Sequence, residues 1–115
     1  MVRPSYVPSS GDLVWLDFDP QKGREQGGRR PALVLSPQGY NRATGLAVVC
    51  PITSRIKGYP FEVTITGKAI RGVVLSDHLK NLDWQRRKAT FIEEASKSVV
   101  LDVVAKLDTL LPRAE

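Results

Sequence analysis

The segment Asp19-Pro20-Gln21-Lys22-Gly23-Arg24-Glu25-Gln26-Gly27-Gly28-Arg29-Arg30 holds the residues best suited to chemistry. It combines three glycines, four basic side chains and a single glutamate. Glycines let backbone amides approach a ligand closely, and arginines present planar forks that match phosphate oxygens. A surface loop whose charges simply stay in water would have the same composition, so both readings stand at this point. The spacing is not that of a nucleotide-binding P-loop. Arg30 differs from its neighbours in the loop because Pro31 follows it. The proline ring fixes its own φ and restricts the residue before it, so this guanidinium starts from a stiff strand end.

A second candidate is Thr53, at the end of an apolar run and followed by Ser54 and Arg55. Threonine is also a good strand former, so its type alone decides nothing. The remaining inventory is thin. His78 is the one histidine, and no cysteine or histidine cluster accompanies it, so no zinc site is expected. A serine nucleophile activated by His78 would lack the usual G-x-S-x-G turn. Any catalysis therefore falls to arginine, glutamate and a hydroxyl.

These residues need elements to hold them. Short apolar runs broken by Gly and Pro read as strands: Leu13–Phe18, Pro31–Ser36, Leu46–Thr53, Phe61–Thr66, Gly72–Leu75 and Lys88–Ile92. Phe61, Val63 and Ile65 alternate with Glu62, Thr64 and Thr66, the period of a one-sided strand. The period then changes. Val99, Val103, Leu107 and Leu111, with Val100, Val104 and Leu110 beside them, form one helix face, with Ser96 as N-cap and Pro112 as stop. Short antiparallel strands closed by one helix point to a small, strongly bent sheet or barrel.

Composition narrows the setting. The chain has 115 residues and shows no repeat or linker, so a single domain over residues 1–115 is expected. Apolar residues make up 42% and charged residues 25%, a globular profile, and no run approaches the roughly 18 apolar residues of a membrane span. The first ten residues lack the apolar core of a secretory signal and read as a short arm. Cys50 is the sole cysteine, so no intrachain disulfide is possible, and its apolar surroundings make it a buried, inert thiol. A reducing, cytoplasmic location without membrane association is the corresponding expectation. The net charge of +5 favours polyanions, either nucleic acid or an acidic protein segment.

Several motifs in one order resemble a known family. Gly11-Asp12-Leu13-Val14-Trp15 with Asp17-Phe18-Asp19-Pro20 looks like the opening of MazF/PemK toxins. Gly23-Arg24-Glu25-Gln26-Gly27-Gly28-Arg29-Arg30-Pro31 with Val34-Leu35-Ser36 resembles the family's loop and second strand. Pro51-Ile52-Thr53-Ser54, then Lys57-Gly58-Tyr59-Pro60-Phe61-Glu62-Val63, then Ser76-Asp77-His78-Leu79-Lys80 with Trp84 continue the likeness from about Gly11 to Leu111. The last of these segments lies near the dimer contact in the family.

The resemblance implies a mainly β fold, an SH3-like antiparallel five-stranded barrel with a C-terminal α-helix, assembled as a homodimer. It implies a metal-independent endoribonuclease that cuts single-stranded RNA and is neutralised by an acidic, partly disordered antitoxin, with no cofactor. The family's catalytic arginine and threonine fall on Arg30 and Thr53, and its loop glutamate on Glu25, our candidate for handling the 2′-proton. Lys22, Arg24, Gln26, Arg29, Ser54, Lys57 and Arg86 are the expected RNA contacts, with Arg87 and Lys88 as further backbone candidates. Trp15 and Trp84 read as core or dimer-interface residues. The competing readings are a non-enzymatic nucleic-acid-binding barrel and a toxin of the same fold directed at DNA gyrase.

Overall fold

The computed structural model describes residues 6–19, 23–24 and 26–112, so the expectations for Lys22, Glu25 and the start of the N-terminal arm lie outside the described residues. The strands are β1 (Asp12–Asp17), β2 (Arg29–Val34), β3 (Leu46–Thr53), β4 (Glu62–Thr66), β5 (Arg71–Leu75), β6 (Lys80–Asp83) and β7 (Thr90–Glu94). Two helices, α1 (Gln38–Thr44) and α2 (Lys97–Asp108), complete the chain together with a 3₁₀ turn at Ser76–His78. All strand pairs are antiparallel, in the order β4-β5-β3-β2-β1-β7, with β6 also paired to β3. The mainly β fold with a C-terminal helix is therefore present, as a curled sheet of seven short strands where the resemblance implied five.

The continuous apolar runs follow from burial on both faces. Leu13, Leu33, Cys50 and Ile52 join one core, which α2 covers with Val103 and, at its edge, Val99, Val100 and Leu107. Their sequence neighbours Val14, Ala32 and Val49 point the other way, into a second core with Leu16, Phe18 and Trp84. Alternation along each strand divides the run between the two cores, so β1, β2 and β3 carry little polar surface.

β3 is the organising strand because it changes partner along one edge. Residues 46–49 pair with β6, whereas Ile52 and Thr53 pair with Val74 and Val73 of β5. Pro51 sits at the changeover, where its missing N–H withdraws one donor from the ladder. The two ends of the strand path, β4 and β7, are joined by a side chain. Glu93 of β7 accepts the N–H groups of Lys68 (3.0 Å), Ala69 (2.8 Å) and Ile70 (3.1 Å) in the turn after β4. These bonds, the Ala69 one foremost, hold its carboxyl below the usual range.

Two expectations need adjusting. Lys88 has φ +57°, a left-handed conformation that a strand excludes, so the last strand begins at Thr90. The helical face ends earlier than its apolar spacing suggests: α2 stops at Asp108, and Leu110 and Leu111 lie exposed beyond it. Ser96 does cap α2, accepting from Val99 N–H. Helix α1 had no sequence signal, having a glycine inside and no side-chain cap. Its Asn41 is fully buried, receives the Trp84 indole N–H at its carbonyl and bonds Pro8 O and Ser36 through its amide. No described helix is long and apolar enough to cross a membrane.

Candidate active site

The β2–β3 pairing ends at Ala32 with Pro51, and Arg30 and Thr53 lie two residues beyond it, Arg30 toward the start of β2 and Thr53 at the end of β3. Arg30 pairs with Leu16, and Thr53 with Val73. The two side chains singled out in the sequence line the same groove, although 23 positions separate them in the chain. Each is held within a strand, so neither group depends on a loop for its place.

Each side chain keeps hydrogen-bonding capacity for a ligand. The half-buried Arg30 donates from Nε to Gly27 O (2.8 Å), and among the described residues neither of its Nη groups has a partner. Thr53 Oγ1 accepts from Arg55 N–H (3.1 Å), which leaves the hydroxyl proton available to donate. Gly72 brings β5 against this point. A Cβ there would stand 2.4 Å from Thr53 O, so the close approach requires glycine.

Both residues open onto a groove of about 1210 Å³ that also takes in Arg24, Gln26, Ser54 and Lys57. Arg55 and Arg71 add charge that the sequence reading did not assign, and Trp15 lines the wall at 39% exposure. Six cationic side chains (Arg24, Arg29, Arg30, Arg55, Lys57 and Arg71) thereby face two carboxylates, Glu62 and Asp77. Both acids are already engaged. Glu62 accepts from Lys57 N–H (3.0 Å) and Gly58 N–H (2.8 Å), and Asp77 accepts the Tyr59 hydroxyl. Burial first, then that bond and the charge of Asp77, push the Tyr59 phenol well above its ordinary pKa and keep it a donor. The uncompensated charge in the groove is positive, which suits a polyanion.

Not every expected contact gathers here. Arg29 lines the groove but donates to Asp17 Oδ1 (2.9 Å), Lys88 O (2.8 Å) and Thr90 Oγ1 (3.1 Å), so a phosphate would compete with internal partners. Arg86 is exposed in the turn after β6 and is not among the groove's residues. Arg87 ties down the end of β1 instead, donating to Asp17 O (3.2 Å) and Asp19 O (2.9 Å). Trp84 belongs to the core, whereas Trp15 does not. Cys50 is fully buried, and burial with the charge of Asp77 pushes its thiol up to about 12, far from reactive. His78, noted as the sole histidine, lies in the groove wall. Arg55 follows the Thr53-Ser54 pair directly and could have been included on that ground. Arg71 and Glu62 are visible only once β4 and β5 are registered against β3.

Comparison with known proteins agrees over nearly the whole chain. Residues 9–111 match the family described as PemK-like, MazF-like toxin of type II toxin-antitoxin system. The endoribonuclease toxin MazF of Escherichia coli (strain K12) is 46% identical over 106 residues, covering 92% of this chain and 96% of that protein. The endoribonuclease PemK of Escherichia coli is 34% identical over 118 residues, covering 96% and 87%. Among solved structures, MazF from Deinococcus radiodurans superimposes with a TM-score of 0.90 at 57% identity, over 93% of this chain and 98% of that one. A MazE-MazF structure from the same organism gives 0.85 at 56% identity, over 96% and 100%. Fold, groove and sequence together establish that this chain belongs to the PemK-like, MazF-like toxins of type II toxin–antitoxin systems.

Proposed function

We propose that this protein is a sequence-specific, metal-independent endoribonuclease toxin that cuts single-stranded RNA. The carrying observation is that Arg30, with both Nη groups unpartnered among the described residues, and Thr53 line one positively charged groove. RNA supplies its own nucleophile. The 2′-oxygen attacks the adjacent phosphorus as its proton leaves, the bond from phosphorus to O5′ breaks, and O5′ takes up a proton. A 2′,3′-cyclic phosphate and a 5′-hydroxyl result, and water opens the former to a 3′-phosphate.

Charge builds on the non-bridging oxygens during attack. Arg30 stabilises it through charge-assisted hydrogen bonds, and Thr53 donates one more or orients the phosphate. A guanidinium with a pKa above about 12 is a poor base, so Arg30 serves as electrostatic stabiliser and candidate acid. Glu25 is the candidate for the 2′-proton. Arg24, Gln26, Ser54 and Lys57 line the path of the RNA, and Arg29 extends it. An unpaired strand can splay its bases into such a groove, whereas a duplex hides them, and Trp15 offers a π-face for stacking.

The relatives bear ribonuclease names, which supports this reading over gyrase poisoning. The MazE-MazF structure supports an antitoxin as this toxin's partner; we further take that antitoxin as acidic and partly disordered, and the toxin as a single-domain, cytoplasmic homodimer. The reading is tested by incubating the protein in excess EDTA with a long unstructured RNA and an all-DNA strand of the same sequence. Discrete RNA fragments with 5′-hydroxyl ends beside intact DNA are expected. Intact RNA with folded, antitoxin-free protein would reject it.

A further inference from the structure

Residues 54–61 connect β3 to β4 without a regular element, yet Ser54, Arg55 and Lys57 on this segment face the groove. A free connection would have to be ordered each time RNA bound, at an entropy cost for every immobilised side chain. Here the segment is already fastened from three elements. Glu62, the first residue of β4, takes Lys57 N–H on Oε2 (3.0 Å) and Gly58 N–H on Oε1 (2.8 Å), and its own N–H donates to Tyr59 O (3.1 Å). Asp77, in the 3₁₀ turn, receives the Tyr59 hydroxyl. Lys106 of α2 donates to Pro60 O (2.7 Å). Gly58, at φ +83°, permits the reversal that turns both amides toward one carboxylate.

We propose that Glu62 is a positioning residue for RNA binding: its carboxylate fixes the Lys57–Gly58 backbone, so that Ser54, Arg55 and Lys57 meet the strand as a preorganised wall. This inference rests on the ribonuclease reading. A carboxylate in a groove built for polyanions would otherwise repel the ligand, and the two amides offset that charge. Each oxygen of Glu62 accepts one backbone donor, which orients the carboxylate toward the connecting segment. Arg30 and Thr53 lie on β2 and β3, and the bond from Arg55 N–H to Thr53 Oγ1 precedes the clamped Lys57–Gly58 pair. Losing the clamp therefore weakens binding and leaves chemistry in place.

Glu62→Gln separates the roles, since an amide of the same shape can accept only one of the two N–H groups. In the variant, amide exchange at Lys57 and Gly58 should quicken, and KM for a single-stranded RNA oligonucleotide should rise, each on the order of tenfold. The kcat should stay within about threefold, with an unchanged pH–rate profile. Lys106→Met, which removes only the Pro60 tie, should raise KM in the same direction by about two- to threefold, and serves alone if Glu62→Gln fails to fold. An unchanged KM, or a collapse of kcat at constant KM, would overturn the proposal. Wild-type protein that leaves RNA intact would reject the ribonuclease reading instead, while the exchange data would still report whether Glu62 holds the wall.

Discussion

Arg29 and Arg30 are adjacent, chemically identical, and put to opposite uses. Both line the groove, but their partners within the protein differ. Arg29 meets Asp17 on β1, Lys88 O and Thr90 Oγ1 near β7, and becomes part of the scaffold. Arg30 lines the groove with Thr53 and, among the described residues, gives only Nε, at Gly27 O. An arginine is available for chemistry when the fold leaves its terminal nitrogens unpartnered while fixing its stem. The sequence set Arg30 apart through Pro31, but the partners that commit Arg29 to the scaffold appear only in the fold.

The largest expected effect comes from Arg30→Ala, which should lower the RNA cleavage rate about 100- to 1,000-fold, the usual loss for one preorganised donor. Its melting temperature should stay within a few degrees of wild type, as calorimetry can check. A rate within threefold of wild type would move Arg30 out of the chemistry. Arg29→Ala should show the reverse pattern. Its ion pair with Asp17 is more than a third exposed, so the loss in stability should be about 1 kcal/mol, a few degrees in melting temperature. Cleavage by folded Arg29→Ala should fall less than tenfold. A larger fall would mean that phosphate competes successfully for its guanidinium.

The smallest effect concerns Glu93, a carboxylate that, like Arg29, is committed to the scaffold. Its folded pKa is lowered, chiefly by the Ala69 N–H bond, so its stabilising contribution is present above the unfolded value of about 4.3. That contribution is lost as the pH falls through the lower folded value. Melting curves of wild type and Glu93→Gln should therefore differ near neutrality and converge below about pH 4. A gap that persists under acid would show that the turn is held by something other than the ionised group.

Much of this was legible in the residues. The Arg30-Pro31 junction and Thr53 carried the catalytic candidates, and Val99, Val103 and Leu107 carried the face of α2. The buried, inert state of Cys50 followed from its apolar surroundings. What was missed depends on long-range pairing. The commitment of Arg29 needs Thr90 beside it, 61 positions away. The groove's Arg71 and Glu62 need β4 and β5 folded back onto β3. Helix α1 draws its order from Asn41, Pro8 and Trp84 rather than from local propensity.

The most direct test of the chemistry is a single-stranded RNA oligonucleotide carrying one 2′-deoxy nucleotide immediately 5′ to the scissile phosphate. If the 2′-hydroxyl is the nucleophile, this linkage should resist cleavage completely, while the same replacement elsewhere leaves cutting intact. Cleavage at the deoxy-substituted linkage would contradict 2′-hydroxyl attack and require water as the nucleophile.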